Sequence, residues 1–227
     1  MKLRILVGSL LVWGSFPGWA MPGIGALALS GGRSFCAFSP FLNRSEKIEE
    51  SASFQVKKGD RKADAEQLAR ALDYFSSEKF HECLVLLQPL NRRYKLNPRY
   101  RAYLAVCLYY EWEYAEAIRL FDEVIPLLQG VAPHELSLYY WMDAESYFAL
   151  QQYDRALPLY EKMLPLCRDN EKPDAYYRMG FCHLFAEERK KAKECFELSL
   201  EGYLKYRNTP NEKARIAQIR HMLGGLK

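Results

Sequence analysis

Catalysis requires titratable or nucleophilic side chains at spacings that let them share one site. The four histidines are His81, His134, His183 and His221. His81-Glu82 and His134-Glu135 begin as a zinc-protease helix begins, but no second histidine follows four residues after the first, so neither can chelate a metal as H-E-x-x-H does. The six cysteines include no C-x2-C pair, which argues against zinc binding and thiol exchange. The chain has no G-x-S-x-G elbow, phosphate loop or dinucleotide fingerprint. The acidic pairs Asp122-Glu123 and Glu187-Glu188 read as solvated helix or turn positions. The expectation is a chain with no catalytic residue, no metal and no cofactor, hence not an enzyme.

The elements that carry these residues follow from composition. In 227 residues there are 32 Leu against 7 Val, 7 Ile and 1 Thr. Strands favour β-branched side chains and helices favour unbranched ones, so the fold is expected to be all-α. The formal net charge of +4 lies outside the main body: residues 1–30 carry +2, residues 31–63 carry +3 and residues 64–227 carry −1. A nucleic-acid binder needs a concentrated basic footprint on its folded part, so none is expected as a partner. The local cluster Arg92, Arg93, Lys95, Arg99 and Arg101 reads as a solvated corner between helices.

Internal repetition sets the architecture. Tyr114-x2-Ala117-x3-Phe121, Tyr153-x2-Ala156-x3-Tyr160 and Ala192-x3-Phe196 are clear marks, and Phe80-x2-Cys83-x3-Leu87 is a weaker copy. A small residue stands twelve positions before each: Ala71, Ala105, Ala144 and Gly180. Small residues at both places let paired helices approach closely, and the ring of the A-x3-F mark fills the space toward the next pair. Cys83, Cys107 and Cys182 fall at small core places, where a buried thiol acts as a small hydrophobe. Cys36, Cys167 and Cys195 are less constrained, and the even number leaves one disulfide open in an exported chain. His183 stands at a core place of its unit rather than at a ligand position.

On these marks the chain resembles the tetratricopeptide repeat (TPR) family, in its bacterial exported or envelope form. The family pattern is W-x2-L-G-x2-Y, then A-x3-F, then P, on a 34-residue period. Four units are expected at 64–97, 98–131, 137–170 and 173–206, with the second helices beginning near Glu78, Tyr114, Tyr153 and Glu188. The first-position Trp and the terminal Pro of the pattern are absent, and its Gly survives only as Gly180. Pro158 is expected in the first turn of its helix, where a missing N–H is harmless. Residues 129–136 are expected to absorb the extra length of the third unit as a longer turn. A terminal helix over 211–223, with Ala214, Ile216, Ala217, Ile219 and Leu223 on one stripe, should cover the last pair. The fold class is thus an α-solenoid of four TPR-like hairpins plus a C-terminal capping helix.

The resemblance also implies a use. Such repeats are binding scaffolds whose concave face is built from the first helix of each hairpin. Carried onto this chain, the groove places include Phe75, Arg99, Tyr109, Tyr110, Trp141, Glu145, Phe148, Tyr177, Phe181 and Phe185. That face is aromatic and poor in charge, and only Arg99 suits a clamp on a terminal carboxylate. Stripes of helix aromatics also serve as core, so the groove and the core compete for these rings. The expected function is a non-catalytic scaffold that holds a peptide or partner helix. The alternatives are a structural spacer or self-associating subunit, and a small-molecule or glycan binder.

Residues before the repeats read as targeting. Lys2 and Arg4 precede an apolar run over 5–16, and Pro17 and Gly18 end it, as in a secretory signal peptide cleaved after Ala20 or Ala28. The competing reading is an N-terminal membrane anchor, since residues 5–30 carry no charge. Residues 29–63 read as a flexible linker, 64–206 as the repeats, and 207–227 as the capping helix and tail. The expected location is the periplasm or cell envelope.

Overall fold

The computed structural model describes residues 61–207 and 209–226; the targeting segment and the linker expected before them lie outside the described residues. Nine α-helices form among the described residues, with no strand. They are α1 (Arg61–Ser76), α2 (Phe80–Arg93), α3 (Pro98–Tyr110), α4 (Tyr114–Val124), α5 (Pro133–Ala149), α6 (Tyr153–Met163), α7 (Lys172–Phe185), α8 (Arg189–Tyr206) and α9 (Lys213–Gly225). A short 3-10 turn, Ile125–Leu127, follows α4, and another, Pro210–Glu212, leads into α9.

Helices pair as α1–α2, α3–α4, α5–α6 and α7–α8, each pair packs on the next, and α9 lies against α8. The small residues of the repeat sit where the paired helices cross: Ala71, Cys83, Ala105, Ala117, Ala144, Ala156 and Ala192 are all fully buried. Gly180 sits at a very close crossing. A Cβ built there would stand 2.7 Å from Cε1 of Phe196, so no larger residue fits without moving the ring. Leu87, Phe121, Tyr160 and Phe196, the residues that follow the second small mark by four, are each closed from solvent.

Within each hairpin the turn is the same. Glu78, Trp112, Gln151 and Glu187 all adopt positive φ, between 57° and 64°. The next residue then returns its N–H to a carbonyl five positions back: Lys79 to Tyr74, Glu113 to Leu108, Gln152 to Tyr147 and Glu188 to His183. This closes the end of the first helix with a Schellman-type bond and reverses the chain in three residues. The left-handed residue explains why α2 begins at Phe80 rather than near Glu78.

Three local expectations are corrected. Residues 129–136 are only partly turn, because α5 starts at Pro133 and gains a turn of helix at its N-terminus. Proline at the first helical position suits that start, since its missing N–H needs no intrahelical partner there. Pro158 is the sixth residue of α6, beyond the first turn, and the helix runs through it. In α9, Ile216 and Ile219 are buried against Tyr177, Ala192, Phe196 and Tyr203, while Ala214 and Ala217 face solvent. Leu223 of the expected stripe, with Met222 and Leu226, packs partly buried against the same cluster.

Candidate functional site: an aromatic shelf on the first helices

The first helices carry rings at two depths, and depth decides which can meet a partner. Phe75 on α1 is 1% exposed and stacks on Tyr103 of α3 at 4.3 Å between centroids. It is core, and its expected place in a groove is corrected, because the next hairpin covers it. Trp141 on α5 packs against Tyr160 of α6 at 5.5 Å, and Tyr177 on α7 packs edge-on against Phe181 and Phe196. Both are buried, so they form the floor beneath the face rather than its surface.

The outer layer lies toward the hairpin turns. Tyr110 stacks face to face on Phe80 at 3.9 Å, across the junction of the first two hairpins. Tyr153 stacks on Phe185 at 4.4 Å, across the junction of the last two. These contacts repeat: each joins the first residue of a second helix to the last residue of the following first helix. At the middle junction that last residue is Ala149, so no ring stands opposite Tyr114 there, and Tyr114 leans on Tyr109 of its own hairpin at 6.0 Å. Phe148 meets Tyr153 edge-on at 5.0 Å, and Phe181 lies 6.2 Å from Phe185. Phe185 is 53% exposed, which is unusual for a phenylalanine already in contact with two other rings.

One ion pair stands between the two groups of rings. Glu145 of α5 is buried; it accepts a hydrogen bond from Tyr160 and another, at 2.6 Å, from the Arg178 guanidinium of α7. The same guanidinium lies 4.6 Å from the centroid of Phe148. Burial by itself would lower the Arg178 pKa, but the Glu145 charge and the Tyr160 hydroxyl outweigh it and hold the group firmly protonated. Burial, helped by Glu145, pushes the Tyr109 phenol up, which keeps it a neutral donor. The shelf is therefore made of rings around one internally neutralised pair.

Arg99 is not available as a carboxylate clamp. Its Nη2 and Nε reach the two oxygens of Glu135 at 3.0 and 3.3 Å, and Tyr139 donates to the same carboxylate at 2.6 Å. Glu135 belongs to the extra turn of α5 and is 1% exposed. Comparable carboxylate–tyrosine–arginine sets close the ends of the first and last hairpins: Asp64 with Tyr94 and Arg93, and Asp174 with Tyr203 and Arg207.

Of the ten expected groove residues, the structure places Tyr109, Tyr110, Phe148, Phe181 and Phe185 in the outer layer, with Glu145 buried beneath it. Arg99 lies apart in its ion pair, and Phe75, Trp141 and Tyr177 are buried. Sequence reasoning missed Arg178, Tyr114 and Tyr153. Tyr114 and Tyr153 were visible only as repeat marks and helix starts. A signal for Arg178 was present as well, since Glu145 was the one acid on an apolar stripe and a buried carboxylate needs a cation. The five cysteines among the described residues are unbridged, with only Cys167 partly exposed. No group of three or more His, Cys, Asp and Glu side chains among the described residues could hold a metal.

No family model matches the chain, and no curated protein matches it. Solved structures do. The type III secretion translocator chaperone SycD of Yersinia enterocolitica is 22% identical, matching 56% of this chain and 80% of its own at a TM-score of 0.46. That chaperone has also been solved in complex with a peptide of the translocator YopD. MamA of Desulfovibrio magneticus RS-1 is 16% identical over 75% of this chain and 95% of its own, at a TM-score of 0.50. The apo form of RapI is 12% identical over 72% of this chain and 62% of its own, at a TM-score of 0.56. Together with the helix order, the likenesses to MamA and RapI show an α-solenoid of TPR-like hairpins.

Proposed function

We propose that the chain is a non-catalytic protein-binding scaffold of the cell envelope, which takes a peptide or partner helix with apolar anchors on the shelf formed by Tyr109, Phe148, Tyr153 and Phe185. The observation that carries this reading is the ring layer ending in Phe185, which leaves a large apolar side chain 53% exposed beside rings already fixed by stacking. Pre-stacked rings lose little conformational freedom when a partner arrives, and aromatic anchors supply much of the affinity at protein interfaces. The Glu145–Arg178 pair adds polarity without free charge, which suits apolar side chains better than a terminal carboxylate. The envelope location rests on the targeting pattern of residues 1–28 and is part of the proposal.

The test is capture from envelope extract on immobilised protein, comparing wild type with Phe185→Ala and Phe148→Ala. Phe185 is a better probe than Trp141, whose removal would disturb the core. A partner retained by wild type and lost by both variants, at unchanged melting temperature, supports the reading. Equal retention by all three proteins overturns it. The same exposed ring also favours a second reading, self-association through the shelf. In sedimentation that reading requires a mass that grows with concentration and falls back to the monomer in Phe185→Ala.

A further inference from the structure

The third hairpin contains a buried acid that the shelf does not use. Asp143, on α5, is 1% exposed, and neither of its carboxyl oxygens has a hydrogen-bond partner among the described residues. It stands at the seventh place of its unit, where the second hairpin has buried Leu104 and the fourth has buried Met179. A carboxyl group thus occupies a hydrophobic core place at the junction where α4 and α6 pack on α5.

The groups around it do not compensate for its charge. From α4, Asp122 presents a second carboxylate, which accepts a hydrogen bond from Tyr147 of α5 at 2.6 Å. From α6 come Arg155 and Lys162, the two cations that act on Asp143. Both face rings instead: the Arg155 guanidinium lies 5.0 Å from the centroid of Tyr147, and the Lys162 ammonium lies 5.8 Å from that of Tyr140. A buried carboxylate without a hydrogen bond or close cation is strongly disfavoured, whereas the neutral acid is tolerated.

We propose that Asp143 is a proton-sensitive latch between the second and third hairpins, closed when its carboxyl is neutral and loosened when it ionises. Ionisation sets a second negative charge beside Asp122 and draws in water, or pulls Arg155 or Lys162 off its ring. Each of these disturbs the seam between α4, α5 and α6. Burial first, then the Asp122 charge, raises the carboxyl pKa from 3.8 to about 8. The folded chain therefore keeps a proton that the unfolded chain has already released. The stability from this group is fully present below the ordinary carboxylate range. It is lost as pH rises toward about 8, and the loss levels off above that.

The test compares the full chain with Asp143→Asn and Asp143→Leu in denaturant titrations from pH 5 to pH 9. The ratio of the wild-type unfolding constant to that of Asp143→Asn should rise toward roughly tenfold per pH unit between about pH 5 and pH 7, then flatten above about pH 8. Asp143→Leu, which copies Leu104, gives the same reference if the amide variant does not fold. The Asp143 carboxyl carbon, followed by NMR, should titrate well above the ordinary carboxylate range. Hydrogen-exchange protection in α4 and α5 should fall with rising pH in wild type and not in the variants. A ratio independent of pH, a carboxyl that titrates near its ordinary value, or a protection loss shared equally by all hairpins would each overturn the latch. None of these readouts depends on what the shelf binds.

Discussion

Arg178 and Glu145 form the pair whose removal should be felt most at the level of single residues. Both are largely closed from solvent, and each leaves the other uncompensated if deleted. Breaking such a pair from one side costs ~3–5 kcal/mol, while replacing both partners with apolar groups can be neutral. Arg178→Ala should therefore lower the denaturation midpoint sharply, and the double variant Glu145→Leu with Arg178→Met should recover most of the loss. Gly180 sets a different limit, because a methyl group there meets the Phe196 ring at 2.7 Å. Gly180→Ala should destabilise by ~1–3 kcal/mol through overpacking, measured by thermal or denaturant unfolding. Glu145 was legible in the sequence as a groove place. Its burial and its bond to Tyr160 were not, because they depend on how closely α5 and α6 approach.

The hairpin is the element that repeats, and its turn carries a testable strain. Gln151 holds φ at 60°, a left-handed conformation that costs a side-chain-bearing residue ~1–2 kcal/mol and a glycine much less. Gln151→Gly should raise the melting temperature, even after part of the gain is offset by the extra freedom of glycine in the unfolded chain. Gln152→Gly, one residue on at ordinary negative φ, should not. The crossing of α5 and α6 supplies a second test. Ala156 is fully buried and Glu161 is exposed. Ala156→Leu should cost ~1–3 kcal/mol by forcing the helices apart, whereas Glu161→Leu should change the melting temperature little. The small-residue marks were readable because close helix approach admits few residue types. The extra turn of α5 was not readable, because a stretch holding Gly130, Val131 and Pro133 suits a loop as well as a loop followed by a proline-started helix.

In the repeat array as a whole, each hairpin is stabilised by its neighbours, and the last one needs a cover. Ile216 and Ile219 of α9 close the cluster of Tyr177, Ala192, Phe196 and Tyr203. A chain truncated after Arg207 would leave those rings without their cover. It should melt at a lower temperature and associate as concentration rises in sedimentation, while the full chain does not gain mass by this route. Unchanged behaviour after truncation would mean that α9 is not the cap.

The sequence by itself determined the helical class, the four hairpins and the terminal helix, since leucine-rich composition and paired small residues act locally and recur at fixed spacing. It also supplied the roster of rings, without ranking them by depth. Tertiary structure decided that ranking: Phe75, Trp141 and Tyr177 are covered by neighbouring helices, while Phe148 and Phe185 stay at the surface. It also decided the distant charge pairings, such as Arg99 with Glu135 and Arg178 with Glu145, whose partners stand more than thirty positions apart. The physical reason is that periodicity reports which face of a helix is apolar. Whether a ring on that face ends as core or as surface depends on the packing of the next hairpin, and no single repeat encodes that packing.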